Sequence, residues 1–278
     1  MTPKHILDEM GLRNCDCEKI QEKNGAAVYR VRTVQGCRIL KVFEHDPREI
    51  LFYDMLRACG VPTVPVLAQT DRALLLEDLV GSPDWRLGQT EDLRNPRIAQ
   101  TIAAWYSQLH EAGRTRLLLD ELPNVTKLPN QANLQALAKQ FPNDAFWPLL
   151  FAYERPLRQQ LDALPRTLVY NDFYWTNLAV SRDGEAAMLF DYNHAGRGYA
   201  YSDVRNVVSS LSEEAACAFL DAYGPVNQDE CTFDRLAADI IALWNASRKG
   251  RFPQWAQSSR TRLMDGTLLR NLHCIMTK

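Results

Sequence analysis

The sequence lacks any apolar run long enough to cross a bilayer, and its opening residues, Met1-Thr2-Pro3-Lys4-His5-Ile6-Leu7-Asp8, contain no apolar signal core. The expectation is a soluble, cytoplasmic protein with no membrane partner. An excess of positive charge is also missing: the net charge is −2, so there is no broad basic field to attract nucleic acid. The seven cysteines are an odd, scattered set, which excludes a disulfide framework and fits thiols in a reducing compartment. Cys15-Asp16-Cys17 is the one close pair. No second Cys or His pair follows at zinc-ligand spacing, so these read as two ordinary thiols rather than a metal site. Internal repeats and low-complexity segments are absent as well. What remains is a 278-residue chain with 46% hydrophobic residues, enough to bury one large core or two modest ones around a cleft.

The most informative stretch is Tyr170-Asn171-Asp172-Phe173-Tyr174-Trp175-Thr176-Asn177, followed by Leu189-Phe190-Asp191-Tyr192-Asn193. Between them, Leu178–Ser181 and Ala186–Phe190 are short apolar runs flanking Arg182-Asp183-Gly184-Glu185, whose Asp-Gly pair signals a hairpin turn. Pairing these strands brings Asn177 beside Asp191. An amide oxygen and a carboxylate together suit a hard cation such as Mg²⁺, which keeps further positions for water and phosphate. Asp172, five residues before Asn177, is then a separate carboxylate placed to orient a hydroxyl and accept its proton.

These residues resemble the catalytic loop and metal-binding Asp of the aminoglycoside phosphotransferase and choline kinase family. That resemblance implies an α+β, bilobal protein-kinase-like fold with a small β-rich N-lobe, residues 1–80, and a larger, mainly helical C-lobe, residues 81–278. It also implies an ATP-dependent transfer of the γ-phosphate to a hydroxyl of a small molecule such as an antibiotic, an amino alcohol or a sugar-like compound. GTP is a possible alternative donor. In this assignment Asp172 is the base and Asn177 and Asp191 hold Mg²⁺. Tyr170 stands where the family usually has His, and Asn193 where an acidic residue often follows. These two departures suggest the rival reading, a catalytically silent nucleotide-binding protein or scaffold.

Upstream, Ala26–Arg32 and Cys37–Phe43 read as strands, with a turn at Gln35-Gly36 between them and another at Asn24-Gly25 before them. Small residues at such a turn let backbone N–H groups approach a phosphate, although a single Gly is also simply a turn residue. The resemblance sets the family's phosphate loop at Asn24, Gly25 and Val28, without a Gly-x-Gly-x-x-Gly motif. Lys41 lies in an apolar strand, where an ammonium needs either solvent or an anionic partner. Glu49, one turn into a helix opened by Pro47, is the candidate that the family's ion pair implies, and Glu44 is a rival. Ala73–Leu79 reads as a buried strand running into a polar break; the resemblance implies that this is the hinge, where main-chain groups near Glu77 and Leu79 would meet the nucleotide base.

Further helices are expected from Asn95-Pro96 to Gly113, from about Asp144 to Leu164, from Ser212 to Tyr223, from Thr232 to Arg248, and through the last twenty residues. His110, at a helix end, reads as structural. Asp203 is expected to cap the helix after the Gly-containing loop, as in the family. The C-terminal segment carries Arg248, Lys249, Arg251, Arg260, Arg262, Arg270 and Lys278 with one acid, Asp265. If this segment reaches the acceptor, it favours a neutral or anionic compound over a polycation. Trp147, Trp175, Trp244 and Trp255 are either core or stacking surface.

Overall fold

A computed structural model describes residues 2–23, 25–115, 119 and 121–277. The chain divides into two compact units. The first comprises Met1–Arg116, Tyr170–Ala195 and Asn206–Gly224, and the second Leu117–Val169, Gly196–Arg205 and Pro225–Lys278.

The first unit is built on an antiparallel five-stranded sheet of order β1-β2-β3-β5-β4: β1 (Asp16–Lys23), β2 (Ala26–Thr33), β3 (Gly36–Phe43), β4 (Val66–Gln69) and β5 (Ala73–Glu77). β3 and β5 supply its buried centre. Leu40 and Leu75 pack there with Val31, Ala73, and Ile6 and Leu7 of α1 (Pro3–Glu9). α2 (Arg48–Cys59) follows β3 and stops at Gly60, whose φ of 72° is a left-handed conformation that glycine adopts without a steric penalty. β1 was not expected from the sequence. It is a largely exposed edge strand, and its charged residues hide the alternation that marks a half-buried strand.

The same unit contains α3 (Pro96–Arg114), capped by the Asn95 side chain, and α7 (Glu213–Tyr223), capped by Ser212. His110 joins these helices: its Nδ1 lies 2.7 Å from the Tyr223 hydroxyl, and its ring is fully buried. The expected hairpin is formed by β8 (Leu178–Ser181) and β9 (Ala187–Leu189), turning at Gly184. β6 (Trp85–Leu87) adds a third strand to it.

The second unit is mainly helical. α4 (Gln131–Gln140), α5 (Phe146–Ala163), α8 (Gln228–Ser247), α9 (Gln257–Met264) and α10 (Thr267–Met276) enclose an apolar core that includes Leu134, Phe146, Leu150, Leu157, Leu236, Ile240 and Leu272. The C-terminal end carries the expected helical structure as two helices, broken at Gly266 (φ 79°). α8 begins four residues earlier than the apolar pattern suggests, because Asn227 caps the N–H groups of Asp229 and Glu230. β7 (Thr167–Val169) and β10 (Gly196–Gly198) form a short antiparallel pair. α6 (Tyr201–Val208) holds Asp203 in its first turn, fully buried, rather than at the cap position.

Candidate active site

Lys41 is on β3, opposite Val28 of β2, so both side chains leave the same face of the sheet. Its ammonium is almost entirely buried and lies 2.6 Å from Glu49 Oε2 and 2.6 Å from Asp191 Oδ1. Burial works against the charged amine, but the carboxylates of Glu49 and Asp191 together outweigh it, and the pKa of Lys41 is raised. Burial also pushes the Glu49 carboxyl up, against the opposing pull of Lys41 and of the Tyr192 backbone N–H. Glu44, the rival partner, is solvent-exposed and near His45 instead.

The position of Asp191 follows from the hairpin. Leu178 pairs with Leu189, and the Phe190 N–H then donates to the Asn177 carbonyl at 3.1 Å, which fastens the end of the Asp172–Asn177 loop to the residue before Asp191. Asp191 has φ of 65° and Asn171 has φ of 60°. Asn and Asp tolerate this left-handed region better than other non-glycine residues, and its occurrence on both sides of Asp172 marks two sharp turns of the chain. The Asn193 side-chain amide donates to Asp191 Oδ1. Tyr192 is buried between the rings of Phe52 and Tyr53, and its hydroxyl lies 2.8 Å from Thr63 Oγ1. The segment after Asp191 is thereby packed against α2, the helix that carries Glu49.

Asp172 is held from within its own loop. Asn177 Nδ2 donates to its Oδ2 at 3.2 Å and to its backbone carbonyl at 3.3 Å. Burial raises the Asp172 pKa, Asp191 adds to the rise, and His194 opposes it. Sequence reasoning passed over His194, since a lone exposed histidine three residues after Asp191 carries no motif. It also passed over Gly88, whose N–H donates to the Leu178 carbonyl at 2.7 Å. A Cβ at Gly88 would fall 2.5 Å from the Trp175 carbonyl oxygen, so only glycine lets this backbone lie against the Asp172–Asn177 loop.

Tyr170 is fully buried, and its hydroxyl donates to the Phe190 carbonyl at 2.6 Å. Its ring meets those of Trp105 and Tyr192 edge-on. The phenol therefore ties the start of the loop that carries Asp172 to the strand end before Asp191.

The remaining candidates lie elsewhere in the unit. Gly25 makes the expected turn at φ 76°, and its carbonyl accepts from the Glu44 N–H. Asn24 lies outside the described residues. Glu77 ends β5 opposite Arg38, and Leu79 is buried in the short helical turn that follows. Asp78 between them accepts from the Val80 N–H and from Arg30 Nε at 2.8 Å.

A family model, the phosphotransferase enzyme family, matches residues 16–246. This chain belongs to the phosphotransferase enzyme family. Among solved structures, a macrolide 2'-phosphotransferase from Brachybacterium faecium is 16% identical with a TM-score of 0.61, covering 94% of each chain. A choline/ethanolamine kinase family protein from Mesorhizobium loti is also 16% identical, TM-score 0.61, covering 95% of this chain and 93% of that one. An ethanolamine kinase from Plasmodium vivax is 15% identical, TM-score 0.61, covering 94% and 86%. At these identities the likeness establishes the α+β, protein-kinase-like fold, with an antiparallel sheet followed by a mainly helical part. No curated protein matches the sequence. Membership of the phosphotransferase enzyme family makes small-molecule phosphoryl transfer the general activity. Among the described residues, no helix is long and apolar enough to cross a membrane.

Proposed function

We propose that this chain is an ATP-dependent kinase that moves the γ-phosphoryl group from Mg²⁺-bound nucleotide to a hydroxyl of a small molecule. The observation that carries this reading is the contact of Lys41 Nζ with both Glu49 Oε2 and Asp191 Oδ1, each at 2.6 Å. An ammonium fixed between a buried carboxylate and a half-exposed one is held in place to meet nucleotide phosphates. In this reading Glu49 orients Lys41, and the backbone around Asn24, Gly25 and Val28 covers the phosphates. Main-chain groups at Glu77 and Leu79 take the edge of the base, with GTP as an alternative donor.

Asn177 and Asp191 fit Mg²⁺: both offer oxygen, and one is anionic. Among the described residues no group of three His, Cys, Asp or Glu is placed to hold a metal ion, so water and phosphate would have to complete the coordination. When bound, the ion offsets the charge of the phosphates. Asp172, outside that pair, orients the acceptor hydroxyl and takes its proton.

The rival reading as a silent protein rests on Tyr170 and Asn193. Both bond to the segment they would be supposed to disable, Tyr170 through the Phe190 carbonyl and Asn193 through the Asp191 carboxylate. In the second unit Arg262 is paired with Asp239, whereas Arg248, Lys249, Arg251 and Arg260 have no acidic partner among the described residues. The enzyme is proposed to work in the cytoplasm without a nucleic-acid or membrane partner.

Thermal melting with Mg²⁺ and ATP tests the reading, with GTP in parallel. A ligand that binds only the folded chain raises the midpoint by mass action. An unchanged midpoint at millimolar nucleotide would overturn it.

A further inference from the structure

Two consecutive carbonyls before Asp191 each accept from a buried phenol. Phe190 accepts from Tyr170 at 2.6 Å, and Leu189 accepts from the Tyr192 hydroxyl at 2.5 Å. The second bond runs back over three residues, so it closes a short loop of chain around Asp191. A closure is needed there, because Asp191 has φ of 65°, where a residue other than glycine is strained unless its surroundings hold it.

The Tyr192 hydroxyl also lies 2.8 Å from Thr63 Oγ1. A phenol has one proton and the Leu189 carbonyl can only accept, so that proton goes to Leu189 and Thr63 is the donor to the phenol oxygen. A hydroxyl that accepts one bond donates its own more strongly. Thr63 itself sits on a fastened segment. The Val61 N–H donates to the Leu56 carbonyl of α2 at 3.0 Å, Trp105 Nε1 of α3 donates to the Pro62 carbonyl at 2.7 Å, and the Glu77 N–H of β5 donates to the Pro65 carbonyl at 3.1 Å. The segment is thus anchored on both sides of Thr63.

The rest of Tyr192 belongs to the ion pair. Its backbone N–H bonds to the Glu49 carboxyl, and its ring centroid lies 5.0 Å from Phe52 and 4.7 Å from Tyr53, both on α2 with Glu49. Asp191, one residue earlier, meets Lys41 at 2.6 Å. A displaced Tyr192 would therefore shift the Asp191 carboxylate relative to Lys41 and Glu49.

We propose that Thr63 is a positioning residue for the phosphotransfer site: through the Tyr192 hydroxyl it fixes the turn that presents Asp191 to Lys41 and to Mg²⁺. This rests on the phosphotransfer reading above. Thr63 has no contact of its own with Lys41, Glu49 or Asp191 in this assignment and acts only through the phenol.

The test compares wild type, Thr63→Val, Thr63→Ser, Tyr192→Phe and the Thr63→Val, Tyr192→Phe double variant by calorimetric titration with ATP, over a series of Mg²⁺ concentrations and in EDTA. Val keeps the shape of Thr without its hydroxyl, and Ser keeps the hydroxyl. Thr63→Val and Tyr192→Phe should each raise the Mg²⁺ concentration for half-maximal ATP binding about three- to tenfold, the scale of one hydrogen bond, with ATP affinity in EDTA unchanged. Thr63→Ser should stay near wild type. The double variant should be no worse than Tyr192→Phe, because Thr63 then has no phenol to act on.

An unchanged Mg²⁺ requirement in Thr63→Val, whatever its melting midpoint, would show that the contact is packing alone and would overturn the proposal. Additive effects in the double variant, or a loss in Thr63→Ser equal to that in Thr63→Val, would do the same. If Thr63→Val does not fold, Tyr192→Phe decides the matter by the same criterion. A wild type that binds no ATP with Mg²⁺ present would remove the phosphotransfer reading, and this role of Thr63 with it.

Discussion

The Tyr170 hydroxyl donates to the carbonyl oxygen of Phe190 at 2.6 Å, joining the residue two before Asp172 to the residue just before Asp191. One buried phenol thus connects the candidate base to the candidate metal ligand through backbone. Tyr170→Phe keeps the packing but strands a buried carbonyl, so it should cost about 1–2 kcal/mol. Tyr170→Ala also opens a cavity and should cost about 3–5 kcal/mol. Tyr170→His should fold and remain active. Urea denaturation with ADP-release assays checks the series, and an alanine variant with unchanged stability and turnover would show that the phenol supports nothing.

Lys41 and Glu49 form a buried ion pair, so removing one partner should be worse than removing both. Lys41→Met leaves the Glu49 carboxylate in a dry site, and Glu49→Leu leaves the ammonium with Asp191 alone. Each single change should destabilise by about 3 kcal/mol or more, while the double variant should recover most of that loss. A double-mutant cycle in denaturant measures the coupling; additive single effects would contradict it.

Asp191→Ala and Asp172→Ala should differ in kind. Loss of Asp191 takes away a proposed Mg²⁺ ligand and one of the two carboxylates on Lys41, so nucleotide binding should weaken together with turnover. Loss of Asp172 should leave nucleotide binding near wild type and remove transfer. Calorimetric titration of both variants with Mg²⁺-ATP separates the two roles. Full turnover in Asp172→Ala would displace it as the base.

Burial raises the Asp172 pKa, and the two consequences run in opposite directions. The folded chain holds this proton to higher pH than the unfolded chain does, so the group's contribution to stability is complete below the ordinary carboxylate pKa, about 4. That contribution is lost as pH rises through the folded value. Activity needs the ionised base, so kcat/KM should fall as pH drops through the same window, above the ordinary carboxylate range. His194→Gln removes the cation that opposes the rise and should move the acid limb to higher pH. A pH–rate profile with its acid limb at or below pH 4 would contradict the assignment.

The local geometry of the candidate site was readable in the chain because it is written in short segments. The Asp-Gly turn and its flanking apolar runs specify a hairpin by turn geometry and side-chain alternation. That hairpin sets Asn177 beside the residue preceding Asp191, and the loop length sets Asp172 next to Asn177. The helix caps at Asn95 and Ser212 were legible for the same reason, since a cap acts over three residues. Where local signals were weak, the tertiary structure decided. β1 is charged and exposed, and is a strand only because β2 offers it a ladder. β6 is three residues long and exists by pairing with β8. Lys41 could have turned to Glu44 or Glu49, and the pairing with Glu49 and Asp191 across 150 residues of sequence was settled by the packing of α2 and Tyr192. The requirement for glycine at 88 and the reach of the Tyr170 phenol belong to the same class. Each depends on the close approach of segments distant in sequence, where burial makes an unpaired charge or a misplaced methyl group costly, and no spacing along the chain records that cost.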